Sequence, residues 1–187
     1  MSTAAAPAES IPKSRRFADM RRAFDQSFAT PHVGVSESFE RMIMIRLGGE
    51  PFVMRASHIS GIARAKRIVS LPSRIPEVLG LAGIRGTLVP VFDLRSILKL
   101  KPCASTPSWL ALANDQVPIA LGFDEFDGQV ELSPTNLYAD ESPTPRSHAQ
   151  LLARIGSSVH PVIDIPSILE VIREKADARG QTRDINP

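Results

Sequence analysis

The residues with the strongest claim to chemistry are three glycines spaced three apart in Gly80-Leu81-Ala82-Gly83-Ile84-Arg85-Gly86. Such spacing can cradle a phosphate, because glycine lets backbone amides close on an anion. A phosphate loop, however, leads from a strand into a helix N-terminus, and a P-loop ends in Lys-Ser or Lys-Thr. These glycines lead into Thr87-Leu88-Val89-Pro90-Val91, a β-rich run, and are read as hairpin residues. His32, His58, His148 and His160 stand singly without metal-ligand spacing, so no metal is expected. Cys103 follows Lys101-Pro102 with no base in readable reach and is taken as an inert thiol. No nucleophile elbow and no paired carboxylates on one element occur, so neither an enzyme nor a cofactor is expected. Arg85 is the one charged residue inside an apolar stretch. It is either an exposed turn residue or a planar fork held out for a carboxylate or a partner.

These residues belong to a phrase that the chain uses twice. Pro90-Val91-Phe92-Asp93-Leu94-Arg95-Ser96-Ile97-Leu98 returns as Pro161-Val162-Ile163-Asp164-Ile165-Pro166-Ser167-Ile168-Leu169. A repeat at that distance implies two related units of about 70 residues, each small for an independent core. Asp93 and Asp164 are matched across the repeat, which points to matched structural work, the N-capping of short helices.

The elements that must position these groups follow from periodicity. The first unit reads as a hairpin (41–47 and 50–55 about Gly48-Gly49), a short helix at 56–62, and strands at 78–81 and 87–92. The second reads as strands at 109–113 and 117–122, a short helix-like piece at 123–127 and a strand at 129–132. A long polar loop follows over 134–147, then a hairpin (151–155 and 159–163) and a helix at 167–178. The architecture expected is mostly β: two small five-stranded barrels packed side by side, closed against exposed edges and sharing an apolar seam. Domain boundaries are expected at 1–38 for an N-terminal extension, 39–173 for the paired units (39–105 and 106–173, possibly intertwined) and 174–187 for a helix end and tail. Within the extension, Phe17, Met20, Phe24 and Phe28 form one stripe of a helix over 14–29.

Hydrophobic residues make up 43% of the chain and aromatics 5%, so the core must be aliphatic. The 16 prolines favour short strands over long helices. A net charge of +2, with one Trp and one Tyr, gives no footing for a nucleic-acid-binding barrel. No apolar run approaches the roughly 20 residues of a membrane span, and no signal peptide is read. With a single cysteine, a cytoplasmic protein without direct membrane insertion is expected.

The run from Val78 through Ile84-Arg85-Gly86 to Val89-Pro90-Val91-Phe92-Asp93-Leu94-Arg95 resembles the signature of the CheW family of chemotaxis coupling proteins. Ile45-Arg46-Leu47-Gly48-Gly49-Glu50-Pro51-Phe52 is similar to that family's opening hairpin. The resemblance implies a non-enzymatic, cytoplasmic adaptor joining the cytoplasmic tips of methyl-accepting chemoreceptors to the regulatory domain of a CheA-type histidine kinase. The alternative is a stand-alone binder or inhibitor of a kinase regulatory domain in a non-motility pathway. By position, the resemblance implies a partner-binding seam of Ile59 (in the short helix), Leu79, Ile84, Arg85 and Gly86, with Val89 and Pro90 in support. Family members commonly pair the turn arginine with an acid in the short helix; that place here is Gly61. The usual Asn before the turn is Gly83. The chain thus reads as a divergent member.

Overall fold

In Glu40-Arg41-Met42-Ile43-Met44-Ile45-Arg46-Leu47 apolar side chains fall on both faces of an extended chain, and the two faces enter different cores. Met42 joins one apolar cluster, while Ile43, Ile45 and Leu47 join another. The same split recurs along the chain, and it sets the architecture. The computed structural model describes residues 39–101, 106–142 and 146–180. The helix expected over 14–29, Cys103 and the tail beyond 180 lie outside the described residues.

The first strands are β1 (Glu40–Leu47), β2 (Glu50–Arg55), β3 (Ile59–Arg64), β4 (Ile68–Val69), β5 (Val78–Ile84) and β6 (Thr87–Asp93). A one-turn helix α1 (Leu94–Ile97) leads to β7 (Trp109–Ala113), β8 (Ala120–Phe123), β9 (Glu125–Leu132) and β10 (Leu137–Ala139). The described residues end with β11 (Leu151–Ile155), β12 (Ser158–Ile163) and helix α2 (Ile165–Gly180). Two six-stranded sheets result, ordered β10-β11-β12-β2-β1-β9 and β3-β7-β8-β6-β5-β4. The mostly-β, two-module architecture is the one expected, with six strands per sheet in place of five.

The extra strands are short segments whose apolar spacing suits a helix or a loop as well as a strand. Residues 56–62 form a single 3-10 turn, Ala56–His58, and then β3; the short helix expected there is absent. Ile59, Ile62, Ala63 and Arg64 are drawn out by antiparallel pairing with β7. Residues 123–127 hold no helix either: Phe123 ends β8, and the residues from Glu125 on begin β9, paired along β1. The expected long loop over 134–147 contains a 3-10 turn, Pro134–Asn136, followed by β10.

The repeat lands on equivalent strands. β6 pairs in parallel with β8, and β12 in parallel with β2. Each sheet therefore holds one hairpin from one sequence half and four strands from the other. The sheets share a core of Ile45, Phe52, Met54, Phe92, Leu121, Phe123, Ile163 and their neighbours. Each also encloses its own smaller cluster, Met42, Val53 and Val162 in the first and Val91, Leu110 and Ala120 in the second. Burial on both faces explains the near-continuous apolar runs in these strands. At Gly80, φ is +141° and a Cβ would stand 2.0 Å from the Val69 carbonyl oxygen, so only glycine lets β4 close on β5.

Asp93 caps α1, accepting from the Arg95 amide at 3.2 Å and the Ser96 hydroxyl at 2.7 Å. Asp164 precedes α2, where its carbonyl accepts from the Ile168 amide at 3.2 Å. Matching amide bonds, Asp93 to the Glu77 carbonyl and Asp164 to the His148 carbonyl, are both 2.8 Å. Arg95 is buried, with Nε 3.6 Å from Asp93 and Nη1 3.5 Å from Asp124. Asp124 in turn accepts from the Gly48 amide at 2.6 Å, which fixes the β1–β2 turn.

Two outcomes follow from these environments. Arg95→Leu leaves two little-exposed carboxylates without their cation and is expected to lower unfolding free energy by about 3 kcal/mol in urea titration. Burial first, then the Arg55 charge, holds His58 below its ordinary value of 6.5, against the opposing pull of Asp164 and Glu40. Burial and then Arg46 do the same for His160, opposed by Asp127. A folded-state pKa below the unfolded one stabilises the fold at higher pH and loses that contribution as pH falls through the unfolded value. The melting temperature should therefore fall between about pH 7.5 and about pH 5.5. His58→Gln with His160→Gln should flatten that slope; an unchanged slope would assign it to other groups.

Candidate functional site

Arg85 and Gly86 form the two-residue loop between β5 and β6, with Ile84 directly opposite Thr87. Their φ angles are +50° and +83°, so both central residues are left-handed, as the twist of a tight hairpin demands. Glycine takes that conformation freely; for Arg85 it carries a steric cost of about 1 kcal/mol. The result is a guanidinium at a tight hairpin tip, exposed to solvent.

Ile84 roots the tip by packing against the cluster inside the second sheet. Two shallow concavities flank it. One, of about 260 Å³, is lined by Ile62, Arg64, Lys66, Arg67, Ile84 and Arg85 among others. The second, of about 250 Å³, runs from Ser60 past Arg85 and Thr87 to Pro118 and Ile119. The residues expected at the seam are only partly brought together. Ile84, Arg85 and Gly86 share the tip. Leu79 lies further back on β5, packed on the same cluster. Ile59 is on β3, where it packs against the shared core and borders a separate groove with Gly61, Phe126 and Gln129. Ser60 edges both that groove and the one beside Arg85.

Gly61 does face the turn arginine, although on a strand. A Cβ built there would stand 3.8 Å from Arg85 Nη2, in ordinary van der Waals contact. No ion pair forms at Arg85 among the described residues. Gly83, also on β5, has open space where a side chain would be. Leu88, opposite Gly83 on β6, is 69% exposed and extends the apolar character of the tip.

Sequence reading passed over Arg64, Lys66 and Arg67. Their signal was three cations within four residues directly after an apolar strand. It also passed over the Arg95–Asp124 contact, which depends on pairing between distant segments. No group of three or more histidines, cysteines or carboxylates is placed to hold a metal among the described residues.

The model of the CheW-like domain matches residues 41–173. Among solved structures, the fold is similar to that of the scaffolding protein TtCheW from Thermoanaerobacter tengcongensis. That likeness has a TM-score of 0.61 at 13% identity and covers 67% of this chain and 88% of that one. Comparison with curated proteins finds no match.

The geometry at Gly61 gives a direct test. Gly61→Glu should rebuild an ion pair with Arg85, and a double-mutant cycle with Arg85→Ala should give a coupling of about 0.5 kcal/mol that fades with salt. Zero coupling at low salt would show that the two positions do not meet in solution.

Proposed function

The chain belongs to the CheW-like domain family, and on that premise we propose that it is a non-enzymatic adaptor coupling methyl-accepting chemoreceptors to a CheA-type histidine kinase. A scaffold role of the chemotaxis type follows from the family. The finer reading is supported chiefly by one observation: an exposed arginine without an ion-pair partner among the described residues, at a tight turn and beside two concavities with aliphatic lining. Such a group costs little to desolvate against a partner's carboxylate and loses little entropy on docking. Ile84, Gly86 and Leu79 then serve as the apolar surround and support of that contact, and Ile59 borders the neighbouring groove that Ser60 shares with it.

The mechanism is geometric. Simultaneous contacts to receptor and kinase raise their effective concentration for each other and bias the kinase between conformations. No bond is made or broken. No helix among the described residues is long and apolar enough to cross a membrane.

The test is reconstitution of the protein with a kinase regulatory domain and receptor cytoplasmic tips. Ternary assembly with altered kinase autophosphorylation is expected; kinase binding without receptor would replace this reading with that of a stand-alone kinase binder. Arg85→Ala keeps the same Cβ and hence the same backbone strain, so stability should move by less than about 0.5 kcal/mol. Receptor affinity should fall about tenfold. Parallel losses of stability and affinity would make Arg85 a structural residue.

A further inference from the structure

The concavity at the open side of the second sheet gathers Arg64, Lys66, Arg67 and Arg85, and no carboxylate lines it. All four side chains are exposed. Elsewhere on the described surface several cations are matched, as in Arg41–Glu131, Arg46–Asp127, Arg55–Glu40, Arg146–Glu50 and Arg173–Asp115. Here the Arg64 guanidinium lies 4.1 Å over the Trp109 ring, which orients the charge without neutralising it. Lys66, Arg67 and Arg85 form no ion pair among the described residues. Charges held within a Debye length of about 10 Å sum their fields, and clustered like charges raise the energy of the uncomplexed protein.

Beneath the cations lies an apolar floor of half-buried Ile62, Ile84 and Leu112. Basic rim and aliphatic floor together match one kind of occupant. We propose that this concavity seats an acidic, amphipathic segment of a protein partner. Its carboxylates face Arg64, Lys66, Arg67 and Arg85, and an aliphatic side chain rests on the floor. The inference rests on the adaptor reading for a partner at this face and adds the chemistry by which that partner is recognised. Single-stranded nucleic acid fits less well, because stacking needs free aromatic faces and Arg64 already occupies Trp109. The complement is also absent from this chain's own N-terminus, since residues 1–30 carry Lys13, Arg15, Arg16, Arg21 and Arg22 against only Glu9, Asp19 and Asp25.

The experiment uses the full-length, isotope-labelled protein and a synthetic amphipathic peptide with glutamates on one helical face and leucines on the other. Amide shifts should change around 62–67, 82–85 and 110–112, and binding should weaken with added salt. A second peptide with lysines replacing the glutamates should not bind. Lys66→Glu with Arg67→Glu should weaken binding of the acidic peptide about tenfold while leaving the melting curve in place. Equal binding of the lysine peptide, or shifts confined to other surfaces, would overturn the proposal. So would saturation of the same residues by an oligonucleotide or by phosphatidylglycerol vesicles in preference to the peptide. Because receptor and kinase are absent from this assay, its failure alongside intact ternary assembly removes only this inference. Peptide binding without ternary assembly removes the adaptor reading instead.

Discussion

A guanidinium placed between two carboxylates in the interior joins everything else in this fold. Arg95 stands in α1, just past the end of β6, with Asp93 beside it and Asp124 across from it just past the end of β8. Through the Gly48 amide, Asp124 also holds the turn of a hairpin that belongs to the other sheet. One charge cluster thus fixes the ends of strands from both sheets and from both halves of the sequence. Removing one ion from such a group costs more than the group contributes as a whole, since the remaining charges have little water to turn to. The seam of Ile45, Phe52, Phe92, Leu121 and Ile163 supplies the bulk of the apolar burial, and the Arg95 cluster helps fix the alignment in which that seam closes.

The exchange of hairpins explains why two weak modules make one sturdy body. Neither sheet is complete within one half of the chain, because β2 needs β12 and β6 needs β8. The proposed docking tip benefits directly. β5 and β6 are braced by β4 on one side and β8 on the other, so the Arg85-Gly86 turn projects from a supported hairpin. A left-handed arginine persists only where its surroundings fix it.

Much of this was legible in the residues. The doubled phrase around Asp93 and Asp164 located the equivalent strands, and Gly48-Gly49 and Arg85-Gly86 located tight turns. Two segments read as short helices entered strands instead: 56–62 runs into β3, and 123–127 spans the end of β8 and the start of β9. In Ile59-Ser60-Gly61-Ile62 and Phe123-Asp124-Glu125-Phe126 a short apolar spacing suits either state, and pairing with β7 and β1 decided between them. At the site, the tip residues followed from the motif, whereas the basic rim did not. A run of cations reads as a solvated surface until the fold shows what it surrounds. That Gly61 faces Arg85 was available only by analogy of position, since the two are distant in sequence and meet across the sheet.

The parallel pairing of β2 with β12 also has a consequence in time. Val53 meets Val162, so the partner of an early strand leaves the ribosome roughly a hundred residues after it. At about 5–20 residues per second, that edge and the apolar faces of Phe52 and Met54 wait on the order of ten seconds without their final cover. Synthesis thus passes through a stage in which a nascent hairpin is competent to pair with the wrong strand, including its counterpart on a neighbouring chain. For a protein with this connectivity, the rate of translation and the company of chaperones are part of how the fold is reached.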